Sequence, residues 1–119
     1  MGTHNEFGKL GEEMAAKYLM NNGYRIQCRN YRYQKAEIDI VAQKGSLLAI
    51  VEVKSRSSDH LQQIAETVNQ KKMGLLVSAA DQYVTEEGLD VDVRFDIITI
   101  LKKGSNFEIN HLKDAFYHF

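Results

Sequence analysis

Residues 36–54 read "AEIDIVAQKGSLLAIVEVK", and this stretch decides the fold. Ile38, Ile40 and Ala42 alternate with Glu37, Asp39 and Val41, the period of two expected of a strand. Lys44-Gly45 supplies a turn, and "SLLAIVEVK" is nearly continuous apolar, as in a strand covered on both faces. The stretch therefore predicts a hairpin with Asp39 inside its first apolar run and Glu52 inside its second. An unpaired carboxylate taken out of water costs several kcal/mol or escapes through a pKa shift, so such charges are paired, metal-bound or placed at a strand end.

The flanks give the rest of the order. Tyr24, Ile26 and Cys28 alternate with Arg25, Gln27 and Arg29, which predicts a further strand upstream. Before it, Phe7, Leu10, Met14 and Tyr18 recur at helical spacing between a capping Asn5 and a stop at Asn22-Gly23, predicting a helix from about residue 6 to 21. Downstream, Ile64, Val68, Leu75, Ala79 and Tyr83 mark a helical stretch from about Asp59 to Thr85, weakened at Gly74. "VDVRFDIITIL" and "FEINHL" then read as two strands joined through "KKGSN". The expected order is α-β-β-β-α-β-β. A helix crossing between strands of one sheet makes this an α/β fold, a mixed sheet with helices packed on it, its third and fourth strands parallel.

A chain of 119 residues matches one domain with a single core. With 44% hydrophobic and 26% charged residues, it has the composition of an ordinary globular protein. Cys28 stands alone, which fits a reducing compartment, and no apolar run approaches the roughly 20 residues of a membrane span. A cytoplasmic protein is expected. The net charge of −1 argues against bulk electrostatic coating of nucleic acid. The charge is uneven, however: from Met14 to Ala36 no acid occurs, while Arg25, Arg29, Arg32 and Lys35 are interleaved with Tyr24, Tyr31 and Tyr33. Such a surface could follow a phosphate backbone and stack on bases; it could equally be a half-exposed strand with solvated arginines.

Strand alternation points Glu52 and Lys54 the same way, about 6 to 7 Å apart, and puts Asp39 on the face of Glu37 and Val41. If the hairpin brings Asp39 beside Glu52, two carboxylates about 4 to 5 Å apart repel by about 4 kcal/mol at an effective dielectric near 20. Something positive must sit between them: Lys54, or a divalent cation such as Mg²⁺, which is held by one or two carboxylates plus waters and substrate phosphate. On the first helix, Glu12 lies at the edge of the apolar stripe between the small Gly8 and Ala16, with a path toward the sheet. Glu13 points outward.

The order of elements and the spacing from Asp39 to "EVK" resemble the signature of PD-(D/E)XK nucleases. More closely, "GKLGEEMAAKYL", "NYRYQKAEIDIVA", "IVEVKSR", "VNQKK", "VRFDIITI" and "HLKDAF" are similar to the YraN-like family of small bacterial endonuclease-fold proteins, related to archaeal Holliday junction resolvases. The resemblance covers nearly the whole chain. It implies Asp39 and Glu52 as ligands of Mg²⁺ or Mn²⁺, helped by the Val53 carbonyl, with Lys54 orienting the attacking water and Glu12 completing the acidic cluster. Glu37 belongs to the same motif, in a supporting or structural capacity. Ala36 stands where the family usually has glycine. Lys72, Arg94 and Asp96 also match family positions, with helix-surface charge and pairing at the sheet end as their simplest roles.

Phosphodiester hydrolysis needs an activated water, charge neutralisation on the phosphate and stabilisation of the leaving oxygen, and this residue set suits it. Zinc is not expected, since Cys28 is alone and His4, His60, His111 and His118 form no ligand pair and are expected at the surface or the termini. No serine-hydrolase elbow and no phosphate-binding loop motif occurs. The leading expectation is a metal-dependent endonuclease acting on DNA, branched or junction DNA included, with Arg25, Arg29, Arg32, Lys35, Arg56 and Lys72 on the nucleic acid and a homodimer as a further expectation. The rivals are a non-catalytic nucleic-acid binding module on the same fold and a domain whose acids form a structural ion-pair network.

Overall fold

The computed structural model describes residues 3–57 and 70–115. Its elements run α1 (Thr3–Asn21), β1 (Arg25–Tyr33), β2 (Ala36–Lys44), β3 (Leu47–Ser57), α2 (Gln70–Glu87), β4 (Asp92–Lys103) and β5 (Asn106–Leu112), in the order that the sequence predicts. The part of the second helix expected before Gln70 lies outside the described residues. The strands form one sheet in consecutive order, β1-β2-β3-β4-β5. Every neighbouring pair is antiparallel except β3 and β4, which run parallel as expected, because α2 carries the chain back across the sheet between them.

Each helix covers one face. Leu76, Ala79, Ala80 and Tyr83 recur at i, i+3, i+4 and i+7 on α2 and pack with Ile38, Val41, Leu48, Ile50, Phe95 and Ile97. On the other face Ala15, Ala16 and Leu19 of α1 meet Ile40, Ala42, Ala49, Val51, Ile98 and Ile100. The buried stripe of α1 is thus turned from the expected one: Leu10 is 46% exposed, and the face inward is built of small residues. Small side chains let the helix lie close, so close at Gly11 that an added Cβ would collide with Ser55 Oγ on β3. Glu12 belongs to this stripe, three, four and seven residues before Ala15, Ala16 and Leu19. The helix stops at Asn22-Gly23 as predicted, with Gly23 at φ 91° and the Tyr24 N–H bonded to the Leu19 carbonyl at 3.0 Å.

The alternation of β2 breaks in the middle. Ile38 and Val41 face α2, whereas Ile40 and Ala42 face α1, so Asp39 stands at a reset of the strand rather than on the face of Val41. β1 resets beside it: Cys28 and Tyr31, three residues apart, both pack toward α2. Between them Asn30 takes a left-handed φ of 55°. In the register of Arg29 with Ile40 and Tyr31 with Ile38, Asn30 lies opposite Asp39. Asparagine tolerates that conformation better than other residues with a Cβ.

Candidate active site

The β2–β3 ladder ends at Ile40 with Val51. One residue further the two strands part, and Asp39 and Glu52 flank the opening. Asp39 is half-buried and fills the gap with a hydrogen bond in place of a ladder bond: its Oδ2 accepts the Val53 N–H at 2.7 Å. Glu52 points to the α2 side, 6% exposed, and its Oε2 lies 3.1 Å from Lys54 Nζ and 2.5 Å from Lys72 Nζ. The two ammonium groups come from β3 and α2, so this carboxylate also fastens the helix to the sheet.

Around the opening each other acid meets a cation. Glu12 lies 3.7 Å from Arg29 Nη2, whose Nη1 donates to Glu13; Glu37 lies 3.4 Å from Arg32 Nε. Asp39 has no ion-pair partner among the described residues. Its pKa is pushed up from the usual 3.8 to about 7, first by burial and next by the negative charge of Glu52, with Glu12 and Glu37 adding to the effect and the Val53 N–H opposing it. Burial works against the Lys72 ammonium, but its hydrogen bond to Glu52 and that carboxylate's charge raise its pKa above the ordinary lysine value.

The donor set is one a hard divalent cation prefers: oxygen ligands, a carboxylate with no contact ion pair among the described residues, and an opening in the sheet. Such an ion would meet Asp39 without a contact cation, but at Glu52 it would share the carboxylate with Lys54 and Lys72. No group of three or more His, Cys, Asp or Glu side chains is gathered to hold a metal among the described residues, and Glu12 is turned to Arg29. Thr99 stands beside Lys54 in the parallel ladder, and its buried Oγ1 has no hydrogen-bond partner. Sequence alone does not single it out, because a threonine within an apolar strand is an ordinary strand residue until the register is known.

The basic window divides on folding. Arg25, Arg32 and Lys35 are exposed, Arg29 is engaged by α1, and Arg56 turns Nη1 back to the Ser55 carbonyl at 3.0 Å. The tyrosines pack against the body of the fold, Tyr24 buried and Tyr31 and Tyr33 half-buried. Tyr24 is buried, with its hydroxyl accepting from Arg94 at 2.7 Å. Tyr31 meets Tyr83 edge-on and donates to Glu86 at 2.7 Å, and Tyr33 packs toward α2.

Arg94 and Asp96 are more than a sheet-end pair. Asp96 is fully buried and accepts from Arg94 Nε at 2.8 Å and Nη2 at 2.7 Å, and from the Asp114 N–H at 3.1 Å. His111 Nε2 lies 2.8 Å from Asp96 Oδ2, and Tyr18 OH lies 3.0 Å from His111 Nδ1. His111 is therefore an interior residue, its side chain 4% exposed, where the surface was expected. The His4 side chain, His60 and His118 lie outside the described residues. Burial alone would raise the Asp96 pKa, but His111, Arg94 and the Asp114 N–H together hold it below the ordinary value. The network ties α1, the residue just before β1, β4 and β5 together on the face opposite Glu52.

A family model described as "Uncharacterised protein family UPF0102" matches residues 11–100. The chain belongs to UPF0102. This is the YraN-like family that the sequence resembles, and the match spans Glu12, Asp39, Glu52, Lys54, Lys72 and Thr99. A UPF0102 protein of Flavobacterium psychrophilum is 47% identical over 119 residues, covering both chains fully. One of Christiangramia forsetii is 48% identical, again over the whole of both chains. One of Bacteroides thetaiotaomicron is 49% identical over 117 residues, 98% of this chain and 97% of its own. No helix of this UPF0102 chain is long and apolar enough to cross a membrane among the described residues.

Proposed function

We propose that this chain is a metal-dependent endonuclease of the PD-(D/E)XK type, hydrolysing phosphodiester bonds in DNA, branched DNA included, in the cytoplasm. The observation that carries the reading is Asp39: a half-buried carboxylate with no ion-pair partner among the described residues, at the point where two strands separate and next to Glu52 and Lys54. A protein that needed only an ion-pair network would give this acid a cation, as it does Glu12, Glu37 and Glu52.

In the proposed chemistry Asp39 and Glu52, with the Val53 carbonyl, hold Mg²⁺ or Mn²⁺. When bound, such an ion would supply charge neutralisation at the phosphate and activation of water. The hydrogen bond from the Val53 N–H fixes the Asp39 carboxylate. Lys54 keeps its ammonium beside Glu52, where it can hold a water or a phosphate oxygen in place. Lys72 adds a second positive charge from α2. The exposed Arg25, Arg32 and Lys35 contribute backbone contacts, and a homodimer would bring two such sites to one duplex.

A specific observation favours a second reading, a binding module without catalysis: Glu52 is already neutralised by two lysines, and no three-ligand cluster is formed among the described residues. Cleavage assays on linear, flapped and four-way DNA and on RNA, with Mg²⁺, Mn²⁺ or EDTA, separate the two. Metal-dependent cutting that is lost in Asp39→Asn is expected. Binding of DNA with no cutting under any metal would leave the binding module.

A further inference from the structure

On the α2 side of the sheet, where the β1–β2 turn faces the helix, lies a cavity of about 330 Å³ lined by Lys35, Ala36, Glu37, Lys71, Lys72, Leu75 and Leu76. Its volume is at the lower end of the roughly 300–1,000 Å³ of small-ligand pockets. Its chemistry is two-sided. Leu75 offers apolar surface, with the nearly buried Ala36 and Leu76 behind it, and three lysines bring positive charge against one carboxylate, Glu37, which is itself turned to Arg32 at 3.4 Å. Lys35 and Lys71 have no ion-pair partner among the described residues. Lys72 reaches from this cavity to Glu52, so an anion lodged here lies next to the candidate active site.

An apolar face bordered by ammonium groups matches a nucleotide, with a flat base or sugar face at one end and a phosphate at the other. A base stacked inside a duplex cannot enter a cavity of this kind; it must be unpaired or displaced from the stack. We propose that the cavity receives one unpaired nucleotide of the substrate, its base or sugar against Leu75 and its phosphate between Lys35 and Lys71. This rests on the nuclease reading and narrows it: the preferred DNA carries an unpaired nucleotide beside the cut, as at a flap, a gap or a branch.

The test is fluorescence anisotropy in EDTA, so that binding is read without cleavage, on a blunt hairpin duplex and on the same duplex with one unpaired nucleotide. A 2-aminopurine at the unpaired position reports its environment. The wild type should prefer the unpaired form by about tenfold or more and change the 2-aminopurine signal. Leu75→Gln should lose both the preference and the signal, and the double variant Lys35→Ala/Lys71→Ala should lose the preference while keeping a wild-type melting profile. Equal binding of both duplexes by the wild type would overturn the proposal, as would a preference that survives in both variants. Adding Mn²⁺ to the same samples separates this from the nuclease reading: cutting without preference refutes the cavity alone, and preference without cutting refutes catalysis alone.

Discussion

Neutralising Asp39 without changing its shape should stabilise the metal-free protein, and the size of the gain should follow pH. In Asp39→Asn the side-chain amide keeps an oxygen to accept the Val53 N–H, so the substitution removes little besides charge. A carboxyl whose pKa is raised on folding holds its proton to higher pH in the native state than in the unfolded one. Its contribution to stability is intact below about pH 4 and is lost as pH rises toward 7. The distance from 3.8 to about 7, at about 1.36 kcal/mol for each step of one, sets a ceiling of about 4 kcal/mol. Water reaches the half-buried group, so about 1 to 3 kcal/mol is expected at pH 8. Urea denaturation in EDTA at pH 5 and pH 8 measures it: the variant should equal the wild type at pH 5, to within about 1 kcal/mol, and exceed it at pH 8. Mg²⁺ or Mn²⁺ at about a hundred times its dissociation constant should then stabilise the wild type by about 2.7 kcal/mol and the variant far less. An Asp39→Asn protein less stable than wild type at pH 8 in EDTA, with no response to metal in either, would refute the reasoning and make Asp39 a structural acid.

Three further outcomes can be checked. Lys72 holds Glu52 as a resident cation, so Lys72→Met should tighten Mn²⁺ binding several-fold by calorimetry while lowering metal-free stability; weaker binding would mean that the lysine assists the ion. Replacing Arg25, Arg32 and Lys35 by Ala should flatten the salt dependence of DNA binding by up to about 3 in logarithmic slope if all three meet phosphates. An unchanged slope would place the DNA elsewhere. Asp96→Ala leaves the half-buried Arg94 guanidinium with only the Tyr24 hydroxyl and the Asp114 N–H without its acceptor, and should cost about 2 to 4 kcal/mol in chemical denaturation; a loss below about 1 kcal/mol would show that the network relaxes around the gap.

The seven elements and the parallel β3–β4 pair were legible because hydrophobic period and turn residues are local properties of the chain. Asp39, Glu52 and Lys54 were legible as a set because charge inside an apolar run is conspicuous at any register. The face of Asp39 was not, since it depends on the left-handed Asn30 across the strand pair, and nothing in "CRNYRY" distinguishes an Asn in that conformation from one in an ordinary strand. The stripe of α1 was misplaced for a similar reason. Large residues weigh most in a periodicity, yet Gly11, Ala15 and Ala16 are what allow the helix to approach Ser55. Lys72 with Glu52, and Asp96 with His111, join residues 20 and 15 positions apart. Such pairs follow from the register and from the crossing of α2, which spacing alone does not give.

The consecutive strand order has a kinetic consequence. β1, β2 and β3 occupy one uninterrupted stretch, residues 25–57, joined by tight turns, and it carries Asp39, Glu52, Val53 and Lys54. Hairpins of this kind close in about 1 to 10 μs, whereas the parallel pairing of β3 with β4 must wait for the crossover through α2 and its larger loop-closure entropy. The bond from the Val53 N–H to Asp39 can therefore form before the sheet is complete, while Lys72 and the buried Thr99 arrive later. Pulse-labelling hydrogen exchange should find the amide of Val53 protected ahead of the amides of β4, with the carboxylates brought together in a folding chain before the second lysine reaches them.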